Sequence, residues 1–337
     1  MDTHTLRYVR RPLAALGVIV LAAALLACGP RGGELSGRII VDGSSTVFPI
    51  SEAVAEEFRL QQPGVEVVVG ISGTGGGFQK FCNGETDISD ASRPIRQQEA
   101  ERCRANGIDF VELPVAFDAL TVVVHPSNDW VDCITVAELK KMWEPAAQGV
   151  VTRWNQVNPA WPDRPLRLYG AGTDSGTFDY FTEAIVGRED ASRGDYTASE
   201  DDNVLVQGVA GDPNALGYFG LAYYLENRSR LKALKLDGGQ GCVEPSVQNV
   251  INGTYRPLSR PLFIYVSTQA AQRPEVQAFV DFYLDVAGDL AEEVGYVPLP
   301  ETAYRLVRQR WQARQAGSVF QGVEPGLRIE DVLARER

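Results

Sequence analysis

Three short segments of this chain combine hydroxyl side chains with glycine where a predicted strand gives way to a predicted helix. The clearest is residues 70–81, GISGTGGGFQKF, which follows a β-branched run at residues 65–69. Glycine lets the backbone take positive φ angles, and the first amides of a helix have no partner inside the helix. Such turns offer N–H groups, hydroxyls and partial positive charge to one oxyanion. Their residues are Ser44, Ser45 and Thr46; Ser72, Gly73, Thr74 and Gly75; and Asp174, Ser175, Gly176 and Thr177.

One glycine-rich turn by itself is as often a flexible loop as an anion site, so the recurrence of the pattern carries the interpretation. The elements around the turns alternate: the hydrophobic pattern predicts strands at 38–42 and 65–71 and helices at 51–61, 77–83 and 97–105. Alternation of this kind is typical of a largely parallel α/β sheet, in which ligands bind beyond the carboxyl ends of the strands.

Two predicted apolar strands follow in close succession, at residues 110–115 and 119–125. We expect the second to carry the chain into another lobe and the strand predicted at 262–266 to bring it back. The C-terminal helices, predicted at 274–287 and 302–316, would then complete the first lobe. The domain organisation predicted in this way is a signal peptide at 1–27, a first lobe formed by 36–118 together with 265–337, and a second lobe at 119–264.

The N-terminal 27 residues have the composition of an export signal. Three arginines precede an unbroken apolar segment at 13–27, which is short for a membrane span. The LLAC sequence that ends at Cys28 resembles the lipobox of bacterial lipoproteins, although Leu26 is larger than the residue usual there. We therefore expect an exported protein, periplasmic or at the outer face of the cell membrane and lipid-anchored through Cys28. The alternative is an uncleaved anchor helix, which would tether the same domain.

Apart from Cys28 the chain has four cysteines, an even number, and disulfides persist in exported proteins. Pairing Cys82 with Cys103 and Cys133 with Cys242 would keep each bridge within one predicted lobe. No CxxC pattern occurs, so a zinc site has little support. A catalytic thiol is the weaker alternative.

The balance of charge argues against nucleic acid as a partner. The formal net charge is −12, and residues 1–27 contribute +2, so residues 28–337 carry −14. An acidic protein repels polyanions at long range. A small anion must therefore be held by short-range dipoles and hydrogen bonds, which the three turns supply.

Five separated segments, in this order along the chain, resemble the periplasmic phosphate-binding proteins of bacterial phosphate ABC transporters, in the long form found in cyanobacteria and similar groups. They are VDGSSTVFPISEAVAEEF, GISGTGGGFQKFCNGETDISDASRPI, ELKKMWEPAA, LYGAGTDSGTFDYF and DNVLVQGVAGDPNALGYFG. The resemblance implies a type II periplasmic binding protein, α/β, with two lobes joined by two hinge strands that close on inorganic phosphate. It also implies delivery to permease subunits by a monomer with no cofactor, no metal and no enzymatic activity.

The resemblance places the three turns around the phosphate, but two family features differ. Some relatives have an aspartate that accepts the phosphate proton where Ser92 stands here, and an arginine just before the third turn, where this chain reads GAGTD. Arg93 is a candidate for the missing positive charge, or else an arginine tied to a carboxylate. Asp90 or Asp174 is a candidate proton acceptor, and Asp174 is also suited to cap a helix.

Other functions stay open from the sequence. Residues 28–337 contain a single histidine, His125, and lack GxSxG, HExxH and Walker A patterns. The sequence therefore offers few residues for a Ser-His-Asp triad or for a metal site with histidine ligands. A secreted phosphatase built on aspartate and a metal, a receptor for sulfate or molybdate, and a surface protein that has lost the ligand are the remaining alternatives.

Overall fold

A computed structural model describes residues 35–173, 175–199, 201–323 and 327–336. None of the helices among these residues combines the length and apolar character that a membrane crossing requires. The proposed signal, its lipidation residue Cys28 and Asp174 lie outside the described residues.

Thirteen strands in the described ranges form the sheets. They are β1 Gly37–Gly43, β2 Val65–Ile71, β3 Ile88–Ala91, β4 Phe110–Val124, β5 Cys133–Thr135, β6 Arg167–Ala171, β7 Thr197–Ser199, β8 Ala215–Gly220, β9 Lys232–Ala233, β10 Lys235–Asp237, β11 Cys242–Val243, β12 Ser259–Ser267 and β13 Val297–Pro298.

The α-helices of the described ranges cover the sheet faces. They are α1 Phe48–Gln61, α2 Gly73–Cys82, α3 Gln97–Ala105, α4 Val136–Trp143, α5 Trp154–Val157, α6 Gly176–Phe181, α7 Asp202–Gly211, α8 Leu221–Glu226, α9 Val247–Ile251, α10 Pro274–Glu293, α11 Glu301–Gln312 and α12 Ile329–Leu333.

The strands follow the order β2-β1-β3-β12-β4-β8-β6-β7, and a separate small sheet has the order β11-β10-β5. β1 is parallel to both β2 and β3, and β6 is parallel to β7 and β8, so each half is a parallel α/β unit. Between the halves, β4 and β12 run antiparallel to each other. The chain is therefore α/β with two lobes joined by two strands, as the resemblance implied.

β4 is one strand of 15 residues, and every residue in it is buried. The prediction of separate strands at 110–115 and 119–125 was wrong, because the intervening residues 116–118 pair with Leu262, Pro261 and Arg260 of β12 and so continue the ladder. The second half of β4 pairs with β8 and β9. β4 therefore pairs with strands of both halves of the sheet and joins the two lobes.

The glycine-rich turn is shorter than predicted, because α2 begins at Gly73 and not at residue 77. Gly77 shows why glycine is required inside this helix: a Cβ there would lie 2.5 Å from Cα of Gly43 and 3.0 Å from Oγ of Ser89. Gly73 takes a φ of 71° at the helix start. The glycines thus allow α2 to sit directly against the end of β1.

The later elements agree with the predictions in kind but differ in length. α6 is continued by a π-helical turn, Thr182–Val186, and α10 extends to Glu293, beyond the predicted end at residue 287. Disulfides join Cys82 to Cys103 and Cys133 to Cys242, which is the predicted pairing.

Two buried carboxylates in the sheet have opposite surroundings. Glu112 on β4 accepts hydrogen bonds from Tyr265, Ser318 and the backbone N–H groups of Val319 and Phe320. Asp90 on β3 is fully buried, and neither oxygen of its side-chain carboxylate has a hydrogen-bond partner within the described residues. Burial raises the pKa of Asp90 to about 7; the Ser51 hydroxyl opposes this shift and the charge of Asp42 adds to it.

We predict that Gly77→Ala lowers the free energy of unfolding by about 1–3 kcal/mol, because the added methyl group must displace backbone of β1. Gly75→Ala is the matched control in the same helix, since the nearest atom to its Cβ would be Nη2 of Arg93 at 3.9 Å. Helix propensity favours that control by up to about 1 kcal/mol. Urea unfolding of both variants measures the difference; equal stabilities would contradict the close packing.

The raised pKa of Asp90 predicts that the stability of the fold depends on pH. Its pKa is higher in the folded chain than in the unfolded one, so the folded state binds the extra proton and the unfolding free energy falls as pH rises from about 4 to about 7. Asp90→Asn should remove up to about 1.4 kcal/mol per pH unit of that slope. Urea unfolding across this range tests it, and a wild-type-minus-variant difference that does not change with pH would refute it.

Candidate functional site

A small polar cavity lies between the two lobes, at the carboxyl ends of the parallel strands. Its volume is about 100 Å³, far below the roughly 300–1,000 Å³ of sites for drug-sized ligands. The lining residues are Ser44, Ser45, Thr46, Gly73, Thr74, Gly75, Ser92, Arg93, Arg96, Asp179, Glu183, Glu189 and Arg260.

The loop after β1 connects the two lobes across the cavity. Ser45 donates a hydrogen bond to Asp179 Oδ2 over 3.1 Å, and Thr46 Oγ1 donates to the carbonyl of Gly176 over 3.3 Å. A Cβ at Gly176 would lie 2.6 Å from Thr46 Oγ1, so a larger residue there would push this loop away. The first and third predicted turns therefore face each other at close range.

The second turn presents the first residues of α2 to the cavity. Thr74 Oγ1 accepts a hydrogen bond from the backbone N–H of Ser92 and lies 3.0 Å from Ser92 Oγ, which ties α2 to the end of β3. Ser72 behaves differently, because its hydroxyl donates to Asp42, which also accepts from Lys80 Nζ at 2.7 Å. Ser72 thus anchors the turn and does not line the cavity.

Three guanidinium groups reach the cavity, each with a carboxylate partner. Arg93 makes two hydrogen bonds, of 2.9 and 2.8 Å, to Glu99. Burial by itself would lower the pKa of Arg93, but the hydrogen bonds and charge of Glu99 raise it above the ordinary value, so the positive charge persists. Arg96 lies 3.8 Å from Glu183. Arg93 is therefore both a cavity residue and an arginine tied to a carboxylate, the two alternatives that the sequence left open.

Arg260 joins both lobes and the connecting strands at one point. It lies on β12, its Nη2 donates to Thr46 Oγ1 over 3.1 Å, and its guanidinium lies 3.6 Å from the centre of the Tyr180 ring. Its side chain is 12% exposed and contacts Glu183 at 3.6 Å and Asp118 at 3.5 Å. A cation in this position can contact an anion held by either lobe.

Carboxylates line the second-lobe side of the cavity. Burial raises the pKa of Asp179 to about 6, and the charges of Glu189 and Asp190 add to the shift while Ser45 opposes it. Burial likewise raises the pKa of Glu189, with help from Glu183 and Asp190. Within the described ranges, no group of three or more His, Cys, Asp or Glu is arranged to hold a metal ion. These carboxylates are suited to accept a proton from a ligand.

Some predicted site residues lie elsewhere. Asp90 is fully buried within β3 and does not line the cavity, although its backbone carbonyl accepts a hydrogen bond from the backbone N–H of Ser44. Ser175 is the N-cap of α6, and its hydroxyl accepts from the backbone N–H of Thr177. Ser175, Gly176 and Thr177 do not line the cavity, although the carbonyl of Gly176 accepts a hydrogen bond from Thr46.

Five cavity residues were not predicted from the sequence: Arg96, Asp179, Glu183, Glu189 and Arg260. Arg96 and Asp179 stand within or next to the segments that resemble the family, so a search for charges around each turn would have found them. Arg260 is the second residue of the return strand β12, far along the chain from all three turns. Only the pairing of β12 with β4 brings it to the site.

Comparison with known proteins agrees with this architecture. A family model described as a PBP superfamily domain matches residues 30–286. Protein SphX of Synechococcus elongatus is 53% identical over 329 residues, which cover 97% of this chain and 97% of that protein. The phosphate-binding protein PstS of Staphylococcus saprophyticus is 38% identical over 298 residues, 86% of this chain and 90% of that protein.

A solved structure supports the same assignment. The crystal structure of a possible phosphate binding protein from Planctomyces limnophilus superposes with a TM-score of 0.80 at 50% sequence identity, over 83% of this chain and 99% of that one. The similarity thus extends through both lobes and the strands that join them. The chain belongs to the PBP superfamily and, within it, to the periplasmic phosphate-binding proteins.

Proposed function

We propose that this protein binds inorganic phosphate outside the cytoplasm and delivers it to the permease of a phosphate ABC transporter. The observation that carries the proposal is the small cavity where hydroxyls from two loops and three guanidinium groups converge between the lobes. A phosphate ion taken out of water needs many donors, and charge-assisted hydrogen bonds from arginine are the strongest that a protein offers.

The residues proposed to hold phosphate are divided between the lobes. The first lobe contributes the loop Ser44–Thr46, the start of α2, Ser92 and Arg93, while Arg260 approaches from β12. In the second lobe Asp179 is the best-placed proton acceptor, because it lines the cavity and accepts a hydrogen bond from Ser45 of the first lobe. We propose Asp179 for the role in which Asp90 and Asp174 are the candidates from the sequence. A proton-accepting carboxylate favours phosphate over sulfate, which carries no proton.

The lobes are proposed to divide as predicted, 36–118 with 265–337 against 119–264, so that β4 and β12 act as the hinge. Both disulfides then lie within a lobe and leave the hinge free to close. The family is one of substrate-binding proteins, and we propose that this chain acts without catalysis, as a monomer. Anchoring through Cys28 remains part of the proposal, and it would keep the protein beside the permease.

We predict that each chain binds one phosphate ion without added metal. Isothermal titration with phosphate, sulfate and molybdate at pH 6 and pH 8 tests this prediction. Micromolar affinity corresponds to about −8 kcal/mol. Stoichiometric binding of sulfate or molybdate without phosphate would assign the site to another oxyanion. Release of phosphate from a phosphomonoester would identify a phosphatase instead.

The second binding prediction concerns Arg260. Replacement of Arg260 by Gln should weaken phosphate binding about 10- to 100-fold, because a hydrogen bond to a charged group contributes roughly 1.5–3 kcal/mol. Arg314→Gln is a matched control, since that guanidinium also lies 3.6 Å from an aromatic ring centre, that of Trp311, and does not line the cavity. If both variants kept wild-type affinity, Arg260 would not bind the ligand.

A further inference from the structure

The two strands that join the lobes carry an ion pair at directly opposed positions. Arg260 on β12 and Asp118 on β4 are register partners, and Nε of the arginine lies 3.5 Å from Oδ2 of the aspartate. The side chains are 12% and 4% exposed, so water screens the pair little. Arg260 lines the cavity whereas Asp118 does not. A buried negative charge therefore lies one contact away from the anion site.

The position of Arg260 does not depend on Asp118 alone. Its guanidinium also donates to Thr46 Oγ1, lies over the ring of Tyr180 and contacts Glu183. Tyr180 is itself fixed, because its hydroxyl donates to the carbonyl of Pro257 over 2.6 Å. Loss of the charge on Asp118 would therefore leave the arginine in place and change mainly the electrostatic potential at the cavity.

We propose that Asp118 sets the affinity of the anion site: its charge offsets that of Arg260, and removing the charge strengthens anion binding. Asp118 acts through Arg260 and does not itself touch the anion. The inference rests on the proposed function, since the anion is taken to be phosphate. It concerns how tightly the site binds, which the three turns and the family resemblance leave undetermined.

The same geometry makes the effect depend on pH. Burial raises the pKa of Asp118 to about 6, and Arg260 opposes the shift. The hydroxyls of Tyr180 and Tyr296 also interact electrostatically with this carboxylate. Glu183 forms an ion pair with the same Arg260. An anion bound near Arg260 disfavours a second negative charge there, so binding and protonation of Asp118 assist each other. This contribution to affinity increases as pH falls through about 6.

The test compares wild type with Asp118→Asn by isothermal titration with inorganic phosphate at pH 8 and pH 5. We expect the variant to bind about tenfold more tightly at pH 8, as estimated from charge interactions in a partly buried site. At pH 5 the two affinities should converge, because the wild-type carboxylate is then protonated. The ratio of affinities at each pH cancels the ionisation of phosphate itself.

Glu112→Gln is the matched control: Glu112 lies on the same strand, is fully buried and bonds Tyr265 and Ser318 far from Arg260. It should leave the affinity ratio near one at both pH values. If Asp118→Asn does not fold by circular dichroism, Asp118→Ser takes its place.

Equal or weaker binding by the variant at pH 8, or a ratio that does not vary with pH, would overturn the inference while the phosphate function stands. Absence of phosphate binding by the wild type would overturn both.

Discussion

The burial of one guanidinium group, that of Arg260, constrains the arrangement of both lobes. An ion removed from water costs several kcal/mol unless partners surround it. Here the partners come from every part of the fold: Asp118 from β4, Thr46 from the first lobe, and Tyr180 and Glu183 from the second. They converge only when β4 and β12 keep their register and the lobes approach. The demand for charge compensation and the demand for a closed anion site are thus met by the same geometry.

The approach of the loops depends on a second constraint, which is the absence of side chains at particular glycines. Gly77 allows α2 to contact the end of β1, and Gly176 allows the third turn to contact Thr46. Because helices and strand ends meet at this distance, hydroxyls and backbone amides from separate elements can reach one ion of a few atoms. The size of the cavity, about 100 Å³, follows from this packing.

Much of the fold and part of the site could be predicted from the sequence. Residues 44–46 and 73–75 line the cavity because local signals, hydroxyl and glycine at a strand end, determine their position. α2 begins at Gly73 and not at residue 77 as predicted, because tertiary packing here overrides the low helix propensity of glycine. Arg260 and Asp179 depend on pairings between distant segments, which no local pattern reveals. Asp90, a candidate proton acceptor from the sequence, is buried and does not line the cavity, and the spacing of residues along β3 does not indicate this burial.

An acidic protein whose anion cavity contains as many carboxylates as guanidinium groups presents an apparent contradiction. Three arginines line the cavity together with Asp179, Glu183 and Glu189, so their formal charges cancel. Binding then depends on directional hydrogen bonds rather than on net attraction, which favours a ligand with matching donors and acceptors over other anions. A fully cationic pocket would bind more tightly and release more slowly, because differences in affinity arise mainly in the dissociation rate. A protein that must pass its ligand onward therefore benefits from carboxylates that offset the positive charge of the arginines. Asp118, buried on β4 opposite Arg260, does so without lining the cavity.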